Sequence, residues 1–244
     1  MIRVASEKWA EDNLACPACS SDLKPYPNNM KVSDFHCRDC DEKFQLKSSR
    51  HGFSKYVLDG EYRTQLESIH RGDYPSILLL SYQDPKVEHV TAVHRSCIIP
   101  DYLVPRKPLS ATARRRFWQG CLIALYRTPS IAKIDLVVDE KPIPSAFITE
   151  QWKKAQTLLK ADVPKRGWLA DVLRCVEQQF STFTLQDLYA SSENELQEKH
   201  PENRNVRPKI RQQLQYLRDL GFVEFVKPGV YRTTNTQKLS VRQF

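Results

Sequence analysis

Nothing in this chain is extended, repetitive or uniformly apolar. The longest strongly apolar stretch is Ile77-Leu78-Leu79-Leu80, far below the roughly 20 residues that a membrane-crossing helix needs. The leading residues Met1-Ile2-Arg3-Val4 hold no apolar signal core, so export is not expected and a cytoplasmic setting is. Seven glycines in 244 residues exclude a collagen-like chain, and neither an internal repeat nor a low-complexity tract occurs. With 41% hydrophobic and 27% charged residues, the composition also excludes a disordered tail protein and a coiled-coil rod. The length suits one large domain or two ordinary ones.

Positive charge is modest in total and uneven in place. The net charge is +8. From residue 203 to 244 nine basic residues (Arg204, Arg207, Lys209, Arg211, Arg218, Lys227, Arg232, Lys238 and Arg242) face only Asp219 and Glu224. That segment therefore carries +7. A second basic run, Arg106-Lys107 with Arg114-Arg115-Arg116, contains no acid. Charge gathered in this way is the footprint of a polyanion partner, although a merely solvated basic face would look the same.

Seven cysteines are an odd number, and without a secretion signal a disulfide framework is not expected. Four of them form the pairs Cys16-Pro17-Ala18-Cys19 and Cys37-Arg38-Asp39-Cys40, with seventeen residues between. Each CxxC folds a tight knuckle that aims two thiolates at one tetrahedral ion, so the spacing predicts a structural Zn²⁺ site. Sulfur fills all four positions and leaves none open for catalysis. Cys97, Cys121 and Cys175 lie in apolar contexts and read as small core residues.

Local patterning divides the chain. Residues 6–14 read as a short amphipathic helix with Ser6 as its cap. Residues 31–36 and 43–48 read as two strands flanking the second cysteine knuckle, a hairpin whose turn zinc would clamp. Tyr62, Leu66 and Ile69 recur at helical spacing, with Gly72 as the stop. Residues 76–82, 88–94 and 133–139 read as strands. Mixed helices and strands over roughly the first 155 residues predict an α/β or α+β domain with one central sheet.

Beyond Gly167 helices dominate. Trp168, Val172, Val176 and Phe180 form one helical stripe, and Thr184 with Asp187 caps a second, short helix. The polar stretch 193–202 reads as a loop. Val206, Ile210, Leu214 and Leu217 mark a third helix ending at Gly221, and a hairpin about Lys227-Pro228-Gly229 follows. Three helices and a hairpin make the winged-helix pattern, a variant of helix-turn-helix. Arg207, Lys209, Arg211 and Arg218 fall opposite the apolar stripe, as a helix entering the major groove requires.

The zinc hairpin carries a second pattern. Asp34 lies at the end of the first hairpin strand, three residues before Cys37, and Gln45 and Lys47 stand two apart on the second strand, on one sheet face. Oxygens from Asp34 and Gln45 can share a hard cation such as Mg²⁺, and Lys47 can orient or help deprotonate the water that attacks phosphorus. Such a triplet is the logic of a metal-dependent nuclease. Alone it is also what any polar surface strand can show.

At this point the chain resembles the DpnI-type restriction endonucleases, which cut GATC sites whose adenines are N6-methylated. The similar segments run from Ser6-Glu7-Lys8-Trp9 to Tyr231. They include CPAC from Cys16, SDFHCRDC from Ser33, FQLKS from Phe44, RKPLSATARRRFWQGC from Arg106, RGW from Arg166 and KIRQQLQYLRDLGFVEF from Lys209. The resemblance implies a nuclease domain of the PD-(D/E)XK fold with an embedded zinc site over residues 1–160, and a winged-helix DNA-binding domain over 161–244. It implies a catalytic trio at Asp34, Gln45 and Lys47 with catalytic Mg²⁺, and structural Zn²⁺ on Cys16, Cys19, Cys37 and Cys40. Trp118 is similar to the tryptophan that lines the family's methyladenine pocket. Arg114, Arg115, Arg116, Arg207, Lys209 and Arg211 are the expected DNA contacts. The expected partner is double-stranded DNA with adenine-methylated GATC, bound by a monomer away from membranes.

One position departs from the family. Gln45 stands where the family trio has glutamate, so the metal site lacks one negative charge. Asp41, Glu42 or Glu7 are three candidates to supply it, and the sequence does not place them. Three functions follow in order: a Mg²⁺-dependent endonuclease, a catalytically inactive reader of methylated DNA, and a zinc-ribbon transcription regulator whose Asp34–Lys47 pattern is coincidental.

Overall fold

The computed structural model describes residues 3–27 and 32–234. Lys31 of the first expected strand and the tail cations Lys238 and Arg242 lie outside the described residues. The amino-terminal part runs α1 (Arg3–Asn13), β1 (Leu23–Pro25), β2 (Phe35–Cys37), β3 (Lys43–Ser49), β4 (Tyr56–Glu61), α2 (Tyr62–Arg71), β5 (Ser76–Gln83) and β6 (Lys86–Val93). It continues through β7 (Leu103–Pro105), β8 (Gly120–Ala124), β9 (Lys133–Val138), β10 (Lys141–Pro142) and α3 (Ser145–Thr157). Among the described residues, one seven-stranded sheet has the order β1-β2-β3-β5-β6-β9-β10, and a small sheet has the order β4-β8-β7. In the large sheet β3 pairs with β5 in parallel and the other neighbours are antiparallel.

Alternation along the strands decides which core each residue joins. On β5, Leu78 and Leu80 face a core shared with Phe44, Trp152 of α3 and Ala10 of α1. Ile77 and Leu79 face the opposite core, with Ile69 of α2 and Val57 and Ile123 of the small sheet. The large sheet is thus covered on both faces. Its most apolar strand is the short Ile77–Leu80 run, as a strand buried on both sides requires.

Several local expectations shift. α1 begins at Arg3, so Ser6 is no cap; it is buried on the same helical stripe as Ala10. The first hairpin strand is the short Phe35–Cys37, so Asp34 sits just before it rather than at its end. α2 ends as expected: Gly72 has φ 77°, a left-handed conformation that glycine adopts freely, and its N–H reaches Ile69 O at 3.1 Å.

The carboxy-terminal part runs α4 (Val163–Glu177), β11 (Thr182–Thr184), α5 (Leu185–Lys199), α6 (Val206–Asp219), β12 (Val223–Lys227) and β13 (Val230–Thr233). The three helices and the hairpin are present, and β11 joins the hairpin in the order β11-β13-β12. Thr184 and Asp187 form a reciprocal capping box. The helix they start is longer than its sequence suggested. Leu188, Ser192 and Leu196 carry a buried stripe through residues 193–199, which are helix and not loop. The acidic side chains there lie on the outer flank, where Glu195 pairs with Arg174 and with Lys199. Phe180 is 89% exposed because α4 stops at Glu177, three residues earlier.

The two parts share a core. Ile99, Tyr102, Ile131 and Ala132 pack into one apolar cluster with Leu169, Val172 and Val176 of α4 and with Leu188 and Leu214. Polar contacts reinforce the junction. The Glu177 carboxylate accepts from the Ser130 and Ile131 N–H groups at 2.8 and 3.3 Å. Asp171, whose side chain is fully buried, accepts from Tyr102 Oη and pairs with Lys199 and His200. A buried carboxylate with three partners is well satisfied. No helix among the described residues is long and apolar enough to cross a membrane.

Candidate active site and DNA-facing surfaces

The four cysteines expected to bind zinc lie together. Their sulfur atoms are all within 4.8 Å of one another, with Cys16–Cys40 at 3.5 Å, Cys19–Cys37 at 3.4 Å and Cys19–Cys40 at 3.6 Å. Four sulfurs about 2.3 Å from a tetrahedral ion stand about 3.8 Å apart, so the cluster can hold a metal such as zinc. Backbone bonds shape both knuckles: Ser20 N donates to Cys16 O, and Asp41 N to Cys37 O. Burial pushes the Cys16 thiol up and the Cys40 thiol up to about 12. Burial raises the Cys19 thiol, but hydrogen bonds from Ser21, Cys37 and Cys40 together outweigh it and lower that thiol to about 7. Thiols so crowded do not ionise together without a cation between them.

The other three cysteines are fully buried core residues, as their contexts suggested.

The hairpin that the cysteines hold also assembles Asp34, Gln45 and Lys47. Asp34 N donates to Phe44 O, and Leu46 N donates to Asp34 Oδ2, both at 2.8 Å. Leu46 is the residue between Gln45 and Lys47, so the Asp34 carboxylate is fastened to the strand that carries the other two. Leu46 packs toward the α1–α3 core, which turns Gln45 and Lys47 to the opposite face. All three line one cavity of about 840 Å³, together with Glu7, Ser48, His51 and Tyr56. Gln45 is 9% exposed, and its amide oxygen has no hydrogen-bond partner. An unpaired oxygen in such a place is unfavourable unless something arrives to use it.

Lys47 has a partner that sequence reading missed. Its Nζ lies 2.6 Å from Asp59 Oδ1, and Asp59 Oδ2 accepts from Tyr74 Oη at 2.7 Å. The Asp59 side chain is fully buried, whereas that of Lys47 is 18% exposed. Burial, then the Asp59 charge, pushes the Tyr74 phenol well above its usual range, so it remains a neutral donor. Asp59 belongs to β4, twelve residues beyond Lys47, and no local spacing relates the two. Only the packing of the small sheet on the large one brings them together.

The basic run 106–116 and Trp118 form the connection between β7 and β8. Backbone bonds close it at its base, from Arg106 N to Gly120 O and from Leu109 N to Trp118 O. Arg114, Arg115 and Arg116 are exposed, and the Arg115 guanidinium lies 4.6 Å from the Trp118 ring centre. Phe117, which the sequence did not single out, is 71% exposed at φ 58°. Trp118 is half-buried and covers Gly120, where an added Cβ would lie 2.8 Å from the indole Cη2. The same Cβ would lie 3.6 Å from Asp59 O. The aromatic loop therefore stands directly beside β4, whose Asp59 pairs with Lys47.

On α6 the three expected DNA contacts separate. Arg211 is exposed and has no ion pair among the described residues. Arg207 is held by Glu193, with Nε at 2.9 Å and Nη2 at 2.9 Å. Lys209 donates to Gln212 and lies 6.0 Å from the Trp168 ring centre. Gln212, Gln215 and Tyr216 share the exposed face with Arg211. Helical spacing places them on that face, but as neutral side chains they add nothing to a basic footprint.

Three helices closed by a hairpin, fixed to a mixed α/β domain with a thiol cluster, have the layout of a helix-turn-helix DNA-binding protein. The comparison with known families agrees for both parts. Residues 164–233 match the Dam-replacing HTH domain, and residues 1–161 match DpnI, the Dam-replacing family. The chain belongs to this family of DpnI-like, methyl-directed restriction enzymes.

Proposed function

We propose that the protein is a metal-dependent endonuclease of PD-(D/E)XK type that hydrolyses both strands of DNA at GATC sites methylated on adenine N6. The nuclease domain would span residues 1–160 and a winged-helix DNA-binding domain 161–244. The observation that carries the reading is the single cavity lined by Asp34, Gln45 and Lys47, with the orphaned Gln45 oxygen beside a carboxylate. Two oxygen donors suit Mg²⁺, which prefers hard ligands. When bound there, the cation would supply Lewis-acid stabilisation of charge on the reacting phosphate.

The chain's own residues do the rest. Asp34 and Gln45 would hold the cation on the hairpin, which zinc on Cys16, Cys19, Cys37 and Cys40 would keep in place. Lys47 presents an ammonium to the phosphate or its attacking water, and Asp59 with Tyr74 keeps that side chain from swinging away. Arg114, Arg115 and Arg116 meet the DNA backbone, and Arg207, Lys209 and Arg211 do so from α6. Arg207 must exchange its Glu193 contact for phosphate, so Arg211 is the better placed of the three. Trp118 receives the N6-methyl group. Burying one methyl contributes only about 1 kcal/mol, so discrimination needs a shaped aromatic surface rather than charge.

That surface rests on Gly120. In Gly120→Ala the new methyl would press on the indole at 2.8 Å. The variant is expected to lose several-fold preference for methylated over unmethylated GATC, with about 1–3 kcal/mol lower stability from overpacking. Paired binding titrations and a thermal melt check both; unchanged preference removes Trp118 from methyl reading.

Digestion of matched plasmids, with and without adenine methylation at GATC, over a range of Mg²⁺ and Mn²⁺ tests the whole proposal. Fragments are expected only from the methylated plasmid. Gln45 favours one second reading, a methyl-DNA reader on a nuclease scaffold that no longer cuts. Methyl-specific binding with no cleavage at any metal concentration would select it.

A further inference from the structure

The departure at Gln45 leaves the cation site with a single carboxylate from its trio, and the structure indicates where a second comes from. The three candidates separate cleanly. Asp41 is the left-handed residue of the second cysteine knuckle, at φ 56°, and does not line the cavity. Glu42 is buried away from the cavity, with Arg95 Nε at 3.5 Å. Glu7 lines the cavity with Asp34, Gln45 and Lys47, and among the described lining residues it and Asp34 are the two carboxylates.

Its position follows from the helix. Ser6 and Ala10 bury one stripe of α1, and α1 packs on β1 and β3. Glu7, one residue on from Ser6, falls at the edge of that stripe and is half-buried. Lys8 pairs with Glu11 and with Asp12 on the outer face, at 3.2 and 2.8 Å. Glu7 lines the cavity that Asp34, Gln45 and Lys47 share. The same cavity is lined by Gln45, which is nine-tenths buried and whose amide oxygen has no partner.

We propose that Glu7 is an oxygen ligand of the catalytic cation and restores the charge that glutamine at position 45 removes. The inference rests on the reading of Asp34 and Gln45 as a cation site. A site of Asp34 and Gln45 alone sets one negative charge against two positive ones; Glu7 completes the neutralisation and adds a third protein oxygen. Charge at a cation site is transferable among positions that reach the same ion, whereas a merely structural acid on α1 has no such equivalence with residue 45. The assignment therefore predicts compensation between a helix and a strand that are distant in sequence.

The experiment uses the full-length, zinc-loaded protein without DNA and measures Mn²⁺ binding from the electron paramagnetic resonance signal of the free ion. Glu7→Gln is expected to weaken Mn²⁺ binding by at least about tenfold. Gln45→Glu alone is expected to tighten it. The double variant Glu7→Gln/Gln45→Glu is expected to return to within about threefold of the natural protein, because the charge is moved and not lost. Melting curves show that each variant remains folded. Unchanged affinity in Glu7→Gln, or a double variant no tighter than Glu7→Gln, overturns the role of Glu7. Asp34→Asn in the same series separates the two levels. If it weakens binding while Glu7→Gln does not, the cation site stands without Glu7. If neither matters, the cation site itself is wrongly placed.

Discussion

Asp34→Asn is expected to slow cleavage of adenine-methylated GATC by more than about a thousandfold while leaving methyl-specific binding intact. The substitution removes the one trio carboxylate and keeps the shape. An asparagine oxygen can still accept from Leu46 N, the bond that Asp34 Oδ2 makes at 2.8 Å. Alanine would leave that N–H unpaired, which costs about 1–3 kcal/mol and confuses catalysis with folding. Lys47 is a poorer probe still. Its removal strands Asp59, a fully buried carboxylate, with Tyr74 as its other partner. Losing one member of a buried ion pair destabilises by about 3–5 kcal/mol. Single-turnover cleavage and a binding titration on the same methylated duplex give the answer. Cleavage at a near-natural rate by a folded Asp34→Asn protein would dismiss Asp34 from the reaction.

The four-cysteine cluster could hold a metal such as zinc, and removal of that ion is expected to have the larger structural effect. A closed four-thiolate site binds zinc with an apparent free energy of about 10–16 kcal/mol in small zinc modules. That is comparable with the whole stability of an ordinary domain, about 5–15 kcal/mol. The cluster joins the loop after α1 to the tip of the β2–β3 hairpin. Stripping the metal should therefore release the hairpin, separate Asp34 from Gln45 and Lys47, and end cleavage. α4 to β13, whose apolar cluster includes none of the four cysteines, should survive longer. One zinc per chain is expected by mass spectrometry, with hydrogen exchange after chelation rising first around residues 16–49. A metal-free protein with an unchanged melting temperature and unchanged exchange there would show that the thiols need no ion.

How far the residues could be read in advance depended on the range of the interaction. The capping box at Thr184 and Asp187 and the stop at Gly72 involve neighbours three or four apart, and both were legible. Residues 193–199 read as a loop from their acidic composition, yet they are helix. Leu196 and Ser192 continue the buried stripe regardless, since burial of one face outweighs the polarity of the other. Phe180 erred in the opposite direction: the spacing of the stripe was right, but the helix ends before reaching it.

By itself the amino-acid sequence determined the two cysteine pairs, the Asp34, Gln45 and Lys47 pattern, and the order of helices and hairpin near the carboxy terminus. Each of these is written in spacings of a few residues, or in two such spacings that one tetrahedral ion can unite. Tertiary structure alone decided which acid stands beside Lys47, which of Glu7, Asp41 and Glu42 reaches the cavity, and where Trp118 sits. Asp59 meets Lys47 because the small sheet packs on the large one, and Glu7 lines the same cavity as Gln45 because α1 packs against β3. Contacts of that kind depend on how buried faces stack, and a stripe of apolar residues states that a face is buried without stating against what.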